Sequence, residues 1–352
     1  MLKRILSLLL ISAVLCGTVI KASAAEALSV SAKSAVLMDG NSKEILYEKN
    51  SGERLPMAST TKIMTALVVL ESLDLSHTFR VDERAVGTEG TSAYLQKGDT
   101  LTVEAALFAL LLQSANDVAN ALAYEVGESI EGFAALMNEK ARELGLCDTS
   151  FKNPSGLPEE GHCTTARDLA FLGAACLENE DFLNIVSTKS KTVKISDKDR
   201  TFVNHNKLLT LYEGAIGVKT GFTKESGRCL VGAAERNGVR LVTVTLSASN
   251  DWKCHSAMLD YGFEKYRSYT LYSKNSLLFE LPVAGCDSSV TVSPEGEKKI
   301  TLPYGKKISV KIEAPSLITA PVKKGAALGT AVFYADEKEI WRTPLLAISK
   351  VL

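Results

Sequence analysis

The 352-residue sequence predicts an α+β domain followed by a small all-β sandwich domain. Three patterns predict this class. Strand-like segments stand at both ends of residues 25–266 with mostly helical segments between them, so one sheet is built from both ends of that region. Asn237-Gly238 separates two apolar runs, residues 229–234 and 239–246, and is the strongest short-range signal of a β-hairpin. Beyond residue 267, apolar residues alternate with polar ones between Pro and Gly turns.

The first predicted elements are two strands and a helix. Residues 34–38 and 44–47 are predicted to be strands joined by an Asp-Gly-Asn turn at residues 39–41. Pro56 is predicted to introduce a helix that runs to Leu70, because Pro is favoured in the first helical turn and apolar residues then recur on one face.

Apolar residues recur at helical spacing through most of residues 101–178 and again before residue 267. The predicted helices cover residues 103–112, 133–144 and 252–266. Gly145 is expected to end the second of these in a left-handed conformation. Thr165 and Asp168 have the spacing of a capping box that opens a further helix, with Asp in place of the usual Glu.

Residues 267–352 are predicted to form the small β-sandwich. Alternating apolar residues indicate strands at residues 290–292, 300–302 and 308–312, and residues 336–338 indicate the turn of one more hairpin. This region contains no His and no cluster of candidate acid–base residues. We therefore expect it to carry out no chemistry.

The charge composition excludes two classes of protein. Lys and Arg number 40 against 41 Asp and Glu, which gives a formal net charge of −1, and 46% of the residues are apolar. A nucleic-acid-binding protein would carry a basic surface, and a disordered chain would combine low hydrophobicity with high net charge. The charge is unevenly distributed, because residues 265–352 hold 13 basic and 8 acidic side chains. This basic excess favours contact with an anionic envelope or partner.

The first 24 residues have the pattern of a secretory signal peptide. Lys3 and Arg4 precede an apolar run over residues 5–16, and Ala22-Ser23-Ala24 is a cleavage site of the A-x-A type. The run is too short to span a bilayer, which takes about 20 apolar residues. The mature chain is therefore predicted to begin near Ala25 and to work outside the cytoplasm.

The cysteine and histidine pattern predicts no metal site. The six cysteines beyond the signal segment form no CxxC pair, and sequence alone allows 15 pairings among them. His162 is adjacent to Cys163, but adjacent side chains rarely bind one metal ion well, and the other three histidines are isolated. We expect neither a metal nor a cofactor.

Ser59-Thr60-Thr61-Lys62 is the first motif with catalytic chemistry. Residues i and i+3 share one face of a helix, so the Lys62 amine can reach the Ser59 hydroxyl. A serine needs an adjacent base, and a lysine serves only if burial and neighbouring cations lower its pKa. Alone the pattern is weak, since about one match is expected by chance in a chain of this composition.

Ser114-Ala115-Asn116 is the second motif, in a predicted loop between two helices. Its hydroxyl and carboxamide can relay a proton and hydrogen-bond a substrate amide. In isolation the pattern is not specific, because Ser273-Lys274-Asn275 matches it in the β domain without any indicated role, and helix capping by Ser114 or Asn116 explains it equally well.

Lys219-Thr220-Gly221 is the third motif and ends a β-type run that begins at Ala215. On an edge strand, Gly221 is expected to let a substrate backbone approach closely. Lys219 offers a fixed positive charge, and Thr220 a hydroxyl, to a substrate carboxylate. An ordinary turn after a strand is the alternative explanation.

The three motifs together are far more specific than each alone. SxxK, SxN and KTG occur in this order, at a helix start, an inter-helix loop and a strand, and the trio is the signature of penicillin-binding proteins and class A β-lactamases. The surrounding residues 56–65, 110–117, 153–157 and 217–223 extend the match. The chain resembles a serine-type D-alanyl-D-alanine carboxypeptidase, a low-molecular-mass penicillin-binding protein of peptidase family S11, over about residues 28–266 and also in its β domain.

The resemblance implies a β-lactamase/transpeptidase-like domain in which antiparallel strands pack against helices and a helical subregion, with the site in the cleft between them. The implied catalytic residues are Ser59 as nucleophile, Lys62 as its base and Ser114 as proton relay. The implied substrate-binding residues are Asn116, Lys219, Thr220 and Gly221, together with Phe222, whose backbone N–H would form the oxyanion hole with that of Ser59. Family members also carry a second basic residue near the substrate carboxylate, for which His205 is the nearest candidate in sequence.

The implied substrates are peptidoglycan stem peptides ending in D-Ala–D-Ala, with β-lactams as inhibitors, and the implied process is cell-wall biogenesis. Two enzymatic alternatives stay open: a class A-like β-lactamase and a DD-endopeptidase acting on cross-links. Residues 153–168 carry Glu159-Glu160 without the E-x-x-L-N context of such β-lactamases, and a β-lactamase has no reason for the β domain. Membrane attachment also stays open, because residues 349–352 follow the last strand too closely to form an amphipathic anchor.

Overall fold

The computed structural model describes residues 28–285 and 288–350. The predicted signal segment, its cleavage site and Cys286 lie outside the described residues. The helices are α1 (Lys62–Ser72), α2 (Val103–Phe108), α3 (Asn116–Gly127), α4 (Ile130–Glu143), α5 (Ala166–Cys176), α6 (Glu180–Ser187), α7 (Leu208–Leu211) and α8 (Asp251–Lys265). Short 3₁₀ turns span Ala58–Thr61 and Glu83–Ala85, and a π-helical turn spans Ala109–Gln113.

Sixteen strands are present in the described part of the chain. The first nine are β1 (Ala32–Asp39), β2 (Ile45–Lys49), β3 (Thr78–Arg80), β4 (Thr100–Thr102), β5 (Ser190–Ile195), β6 (Lys198–Val203), β7 (Ala215–Thr223), β8 (Gly227–Arg236) and β9 (Val239–Ala248). The others are β10 (Tyr266–Tyr272), β11 (Phe279–Pro282), β12 (Ser289–Ser293), β13 (Lys298–Pro303), β14 (Ile308–Glu313), β15 (Ala327–Ala335) and β16 (Lys338–Ala347).

The central sheet is built from both ends of the first region, as predicted. Its strand order is β2-β1-β9-β8-β7, and all of its neighbours run antiparallel. The predicted hairpin joins β8 to β9, with Asn237 at φ 50° and Gly238 at φ 75°. Positive φ at both central residues is the backbone that matches the twist of the flanking strands. Strand β7, which carries Lys219-Thr220-Gly221, is at the edge of this sheet.

Each face of the central sheet is covered by helices, because side chains alternate between its two faces. Val36 and Met38 of β1 pack with α1 to α6 in the larger core, whereas Ala35 and Leu37 pack against α8 on the other side. The cleft that holds the three motifs therefore opens between an edge strand and the helical layer rather than through either core.

Three predicted helical features differ in the structure. Helix α1 begins at Lys62, and a 3₁₀ turn rather than an α-helix holds Ser59. The predicted helix 103–112 is split into α2 and the π-helical turn. Only half of the predicted capping box forms: Thr165 accepts the N–H of Asp168, but the Asp168 carboxylate accepts hydrogen bonds from residues 148 and 149 instead.

The last seven strands form the predicted all-β region. Five of them make an antiparallel sheet in the order β11-β12-β16-β15-β14, while β10 pairs with β13. Leu271 and Tyr272 of β10 share one core with Val292 and Phe333 of the larger sheet, so the two sheets pack together. Strands β10 and β11 were not predicted. Strand β10 was missed because it follows α8 without any intervening turn signal.

Five cysteines are described, and all are free thiols: residues 147, 163, 176, 229 and 254. Among residues 28–285 and 288–350, no group of three or more His, Cys, Asp or Glu side chains is placed to hold a metal ion. No described helix is long and apolar enough to cross a membrane.

Candidate active site

The 3₁₀ turn brings the first motif together. Its period of three residues places Ser59 and Lys62 on one face. The Lys62 Nζ lies 3.1 Å from the Ser59 Oγ. Ser59 is partly exposed, whereas the Lys62 side chain is completely buried. The hydroxyl therefore faces the cleft and the amine lies behind it.

Lys62 has two further partners, and they determine which protonation state suits the site. Its Nζ lies 2.6 Å from Asn116 Oδ1 and 2.6 Å from the Ser155 backbone oxygen. Both of these are acceptors only. A neutral amine has two hydrogens, so these two bonds would use both and leave its lone pair toward the Ser59 hydroxyl.

The electrostatic surroundings favour this neutral amine. Burial lowers the pKa of Lys62 well below its usual value, the charge of Lys219 lowers it further, and Asp117 opposes both effects. Burial also lowers the pKa of Lys219 to about 7. Two buried amines next to one another cannot both keep their protons cheaply, because a like charge and desolvation each disfavour the charged form.

The π-helical turn places Ser114 of the second motif at the cleft. The N–H of Ser114 and that of Ala115 both donate to the Ala109 carbonyl, which closes the wide turn. Ser114 itself is in the left-handed region at φ 66°, a strained conformation for a residue with a side chain. Its side chain lines the same cleft as that of Ser59.

Asn116 lies at the start of α3 and is buried. Its Oδ1 accepts from Lys62, and its Nδ2 donates to the Glu89 carbonyl at 2.7 Å. Both ends of this amide are thus engaged inside the protein, so the structure places Asn116 against Lys62 rather than along the open cleft.

Asp117 ties a surface loop to the same helix start. Its buried carboxylate accepts hydrogen bonds from the Ser92 hydroxyl and from the N–H groups of Ala93 and Leu95. The loop so anchored carries Thr91, which lines the cleft. Nothing in the sequence marks Asp117 as functional, because an acidic residue in the first turn of a helix is common.

Replacing Asp117 with Asn is expected to shift the pH dependence of acylation to lower pH. The negative charge of Asp117 raises the pKa of Lys62, so its removal lowers that pKa, and the amine becomes neutral at lower pH. The measurement is the acid limb of the acylation rate against pH. A limb that stays in place, or moves to higher pH, contradicts this electrostatic role.

The loop of residues 153–157 supplies the carbonyl that holds Lys62. Asn153 Oδ1 accepts from the N–H of Ser155 and from that of Gly156, which shapes the loop locally. Gly156 has φ 84°, and a Cβ there would lie 1.9 Å from the Ala58 carbonyl oxygen. Only glycine therefore allows this loop to press against the residue that precedes Ser59.

Gly156→Ala is expected to lower both stability and activity. The left-handed backbone costs an alanine roughly 1–2 kcal/mol, and forcing a methyl group into a packed contact adds roughly 1–3 kcal/mol. Gly145→Ala is the matched control, because Gly145 has φ 72° but nothing within 4 Å of the added methyl group. Thermal unfolding measures the loss of stability, and the rate of penicillin acylation measures the loss of activity. Equal effects of the two substitutions would contradict it.

Strand β7 forms the opposite wall of the cleft, and the residues of the third motif lie differently along it. Thr220 and Phe222 line the cleft, and Phe222 is largely exposed. Lys219 is buried, and its Nζ donates to the Thr220 carbonyl at 2.9 Å. Its charge acts from beneath the wall, on Lys62, rather than from the open surface.

Gly221 is required for a reason that the sequence did not indicate. A Cβ at this position would lie 3.0 Å from the Ser59 backbone nitrogen and 3.1 Å from the Met57 carbonyl oxygen. The close approach is therefore between β7 and the 3₁₀ turn that holds Ser59. It brings the backbone of Phe222, the next residue, near that of the predicted nucleophile.

The cleft has a volume of about 340 Å³ and is lined by three basic residues, of which His205 alone was a candidate from the sequence. His205 does line it, with a pKa lowered first by partial burial and then by Lys219. Lys207 and Arg228 line it as well. Arg228 is held by the buried Asp251, with its Nε 2.9 Å from Asp251 Oδ1. Arg228 of β8 pairs with Phe222 of β7 in the antiparallel sheet. Counting the strand register from the third motif could therefore have identified Arg228 as a candidate.

The fold and the cleft together define a serine-type peptidase with a two-lysine site. The D-alanyl-D-alanine carboxypeptidase family of S11 peptidases matches residues 21–250, and the C-terminal domain of penicillin-binding protein 5 matches residues 266–351. The chain belongs to this S11 family of serine D-alanyl-D-alanine carboxypeptidases.

Individual relatives agree with this assignment. D-alanyl-D-alanine carboxypeptidase DacF of Bacillus subtilis is 35% identical, over 98% of this chain and 94% of the relative. DacC of Escherichia coli is 33% identical, over 93% and 86%. The crystal structure of penicillin binding protein 5 from Haemophilus influenzae is similar at a TM-score of 0.75 and 27% identity, covering 92% of this chain and 98% of that one. A class A β-lactamase is not favoured.

Proposed function

We propose that the protein removes the terminal D-alanine from peptidoglycan stem peptides through an acyl-enzyme on Ser59. The observation that carries this proposal is the environment of Lys62: a buried amine 3.1 Å from the Ser59 hydroxyl whose other two partners are acceptors only. Such an amine can take the hydroxyl proton as the serine oxygen attacks.

The reaction then proceeds in two halves. The Ser59 oxygen bonds to the carbonyl carbon of the penultimate D-alanine while its proton passes to Lys62. The negative oxygen of the tetrahedral intermediate lies against the N–H groups of Ser59 and Phe222. The proton reaches the leaving amine by way of Ser114, the amide bond breaks, and free D-alanine departs. Water then hydrolyses the ester and restores the Ser59 hydroxyl.

Lys62 and the substrate are positioned by different residues. Asn116 and the Ser155 carbonyl orient the Lys62 amine, and Lys219 keeps its pKa low. Thr220 and Arg228, both on the cleft, bind the terminal carboxylate of the substrate. Because Gly221 has no side chain, β7 can lie close to the turn that holds Ser59, which would bring the two oxyanion N–H groups near each other. β-Lactams acylate the same serine because they present a carboxylate and a reactive amide in the same arrangement.

The decisive experiment compares two substrates with the purified protein. Release of free D-alanine from a pentapeptide ending in D-Ala–D-Ala, together with a stable ester from labelled penicillin, is the expected result. Rapid turnover of penicillin would indicate a β-lactamase. Stable labelling without D-alanine release would indicate another peptidoglycan bond, such as an endopeptidase cross-link, and would contradict the proposed substrate.

Replacing Arg228 with Gln is expected to remove the preference for a free terminal carboxylate. A hydrogen bond to a charged group contributes about 1.5–3 kcal/mol, so kcat/KM for the free-acid peptide should fall roughly tenfold to a hundredfold. The same peptide with a C-terminal amide is the control, and its slow turnover should change little. An unchanged ratio between the two peptides would remove Arg228 from carboxylate binding.

We further propose that the enzyme acts outside the cytoplasm, as a catalytic unit of residues 25–266 followed by a β domain of residues 267–352. The signal-like segment and the separate matches of the two regions support this. Expression in a secreting host with N-terminal sequencing of the exported chain tests it, with Ala25 expected as the first residue.

The basic β domain supports association with an anionic envelope, and salt-independent binding of the full chain to cell-wall preparations would contradict that.

A further inference from the structure

Behind the nucleophile turn lies a chain of hydrogen bonds that the catalytic steps above do not use. It begins at the N–H of Lys152, which donates to Nδ1 of His162 at 3.0 Å. The Nε2 of the same ring lies 2.8 Å from the Thr61 Oγ1. The Thr61 hydroxyl in turn donates to the Ala58 carbonyl at 2.7 Å. His162 and Thr61 are both buried.

The bond at the Lys152 end determines which group is the donor in each of the other hydrogen bonds. Because Nδ1 accepts the Lys152 N–H, it carries no proton, so Nε2 carries one and donates it to Thr61. The Thr61 hydroxyl then has its own hydrogen free for the Ala58 carbonyl. Burial, followed by the charge of Lys152, lowers the pKa of His162 to about 4, which agrees with a neutral ring.

The residue at the end of the chain is in an unusual conformation. Ala58, which directly precedes Ser59, has φ 48°, in the left-handed region that disfavours a residue with a Cβ. A conformation of this kind persists only when its surroundings impose it. The Thr61 hydroxyl bonds the carbonyl of this same residue, and Gly156 packs directly against it.

We propose that His162 is a positioning residue for acylation: acting through Thr61, it holds the left-handed turn at Ala58 and thereby aims the Ser59 hydroxyl at the substrate carbonyl. Thr61 lies between Ser59 and Lys62 in sequence, so loss of the bond from His162 lets the turn that carries both residues relax. The inference rests on the proposed role of Ser59, and it concerns the rate of acylation rather than the substrate.

Two substitutions at His162 test the hydrogen bonds of its two ring nitrogens separately. His162→Gln can place an amide N–H where Nε2–H lies and so keeps the donor to Thr61. His162→Asn can place an oxygen where Nδ1 lies, keeps the bond from Lys152 and loses the donor. We expect His162→Asn to slow penicillin acylation roughly tenfold to a hundredfold with little change in the concentration for half-saturation, since misplacement of a reacting group mainly affects the chemical step. His162→Gln should stay within about threefold of the wild type on the same argument.

Thr61→Val tests the second link, because it removes the hydroxyl at nearly constant volume. It should slow acylation as much as His162→Asn, and the double variant should be no slower than either. His255→Asn is the control. His255 is also buried, but it bonds Thr243 and Thr245 on β9, away from the nucleophile turn, so this substitution should lower stability and leave the acylation rate of the folded protein unchanged.

The outcomes distinguish this inference from the proposed function. Wild-type rates in His162→Asn, equal slowing by Asn and Gln, or additive losses in the double variant would each overturn the positioning role while leaving acylation of Ser59 intact. Failure of the wild-type protein to form the ester would instead overturn the proposed function. If His162→Asn does not fold, ¹⁵N spectra of histidine-labelled wild-type protein decide the point: His162 must be the neutral Nε2–H form at pH 7, and the opposite tautomer overturns the inference.

Discussion

Ser59→Ala is expected to abolish ester formation with labelled penicillin and to stop release of D-alanine. Without the hydroxyl there is no atom to form the covalent bond, and in the described structure the neighbouring Ser114 lies on a separate turn with its own strained backbone. Gel detection of the labelled protein measures the ester, and an amino-acid assay measures free D-alanine. Both signals should fall to background, which is the largest effect of any single substitution considered for this site.

Ser72→Ala is the matched control for this experiment. Ser72 ends helix α1, which follows directly on the turn that holds Ser59, and its hydroxyl donates to the Val68 carbonyl within that helix, so its loss should leave labelling unchanged. Unfolding curves for both variants establish that each is folded. Labelling that persists in Ser59→Ala would mean that another residue is the nucleophile.

Lys62→Met is expected to slow acylation by roughly 10²- to 10⁴-fold, the usual contribution of a positioned general base. The methionine fills much of the same volume but cannot take the Ser59 proton. It also leaves Asn116 Oδ1 and the Ser155 carbonyl without their donor, so some loss of stability should accompany the loss of rate. The measurement is the rate of penicillin acylation at saturating concentration, with thermal unfolding recorded on the same samples.

Lys62→Arg distinguishes a base from a simple positive charge. The guanidinium stays protonated at all accessible pH values, so a site that needs a neutral base should lose activity with Arg almost as fully as with Met. Substantial activity in Lys62→Arg would show that Lys62 acts by its charge alone. In the wild type, acylation should rise with pH as Lys62 loses its proton, and it should do so well below the ordinary lysine range, because burial and Lys219 lower that pKa.

The charges around Ser59 form a balanced set. The charge of Lys219 disfavours protonation of Lys62 and so lowers its pKa, while the charge of Asp117 favours protonation and limits how far the pKa of Lys62 falls. Lys219 itself has a pKa of about 7, so it loses its charge as the pH rises above neutrality, and its effect on Lys62 fades in the same range. The acylation profile therefore reports the pair of lysines together rather than either alone.

Much of the fold was predictable because its signals are local. The Asn237-Gly238 hairpin is encoded by two adjacent residues that accept positive φ, and the strands beside it by apolar runs. The α-helix from Pro56 was wrong in its start, because a 3₁₀ turn has no periodicity distinct from a helix over four residues. Strand β10 was missed because it continues directly from α8.

The sequence by itself determined that the first region builds one sheet from both of its ends around helical segments, and it supplied the three motifs. Only the tertiary structure decided which contacts the residues of these motifs make and which of them are buried. It placed Asn116 and the Ser155 carbonyl on Lys62, buried Lys219 beneath the wall of the cleft, and brought Arg228 into the lining of the cleft. These contacts join segments tens of residues apart, and no spacing rule encodes them. They depend on close backbone approaches, at Gly156 and Gly221, that appear only once the sheet and the helical layer have packed together.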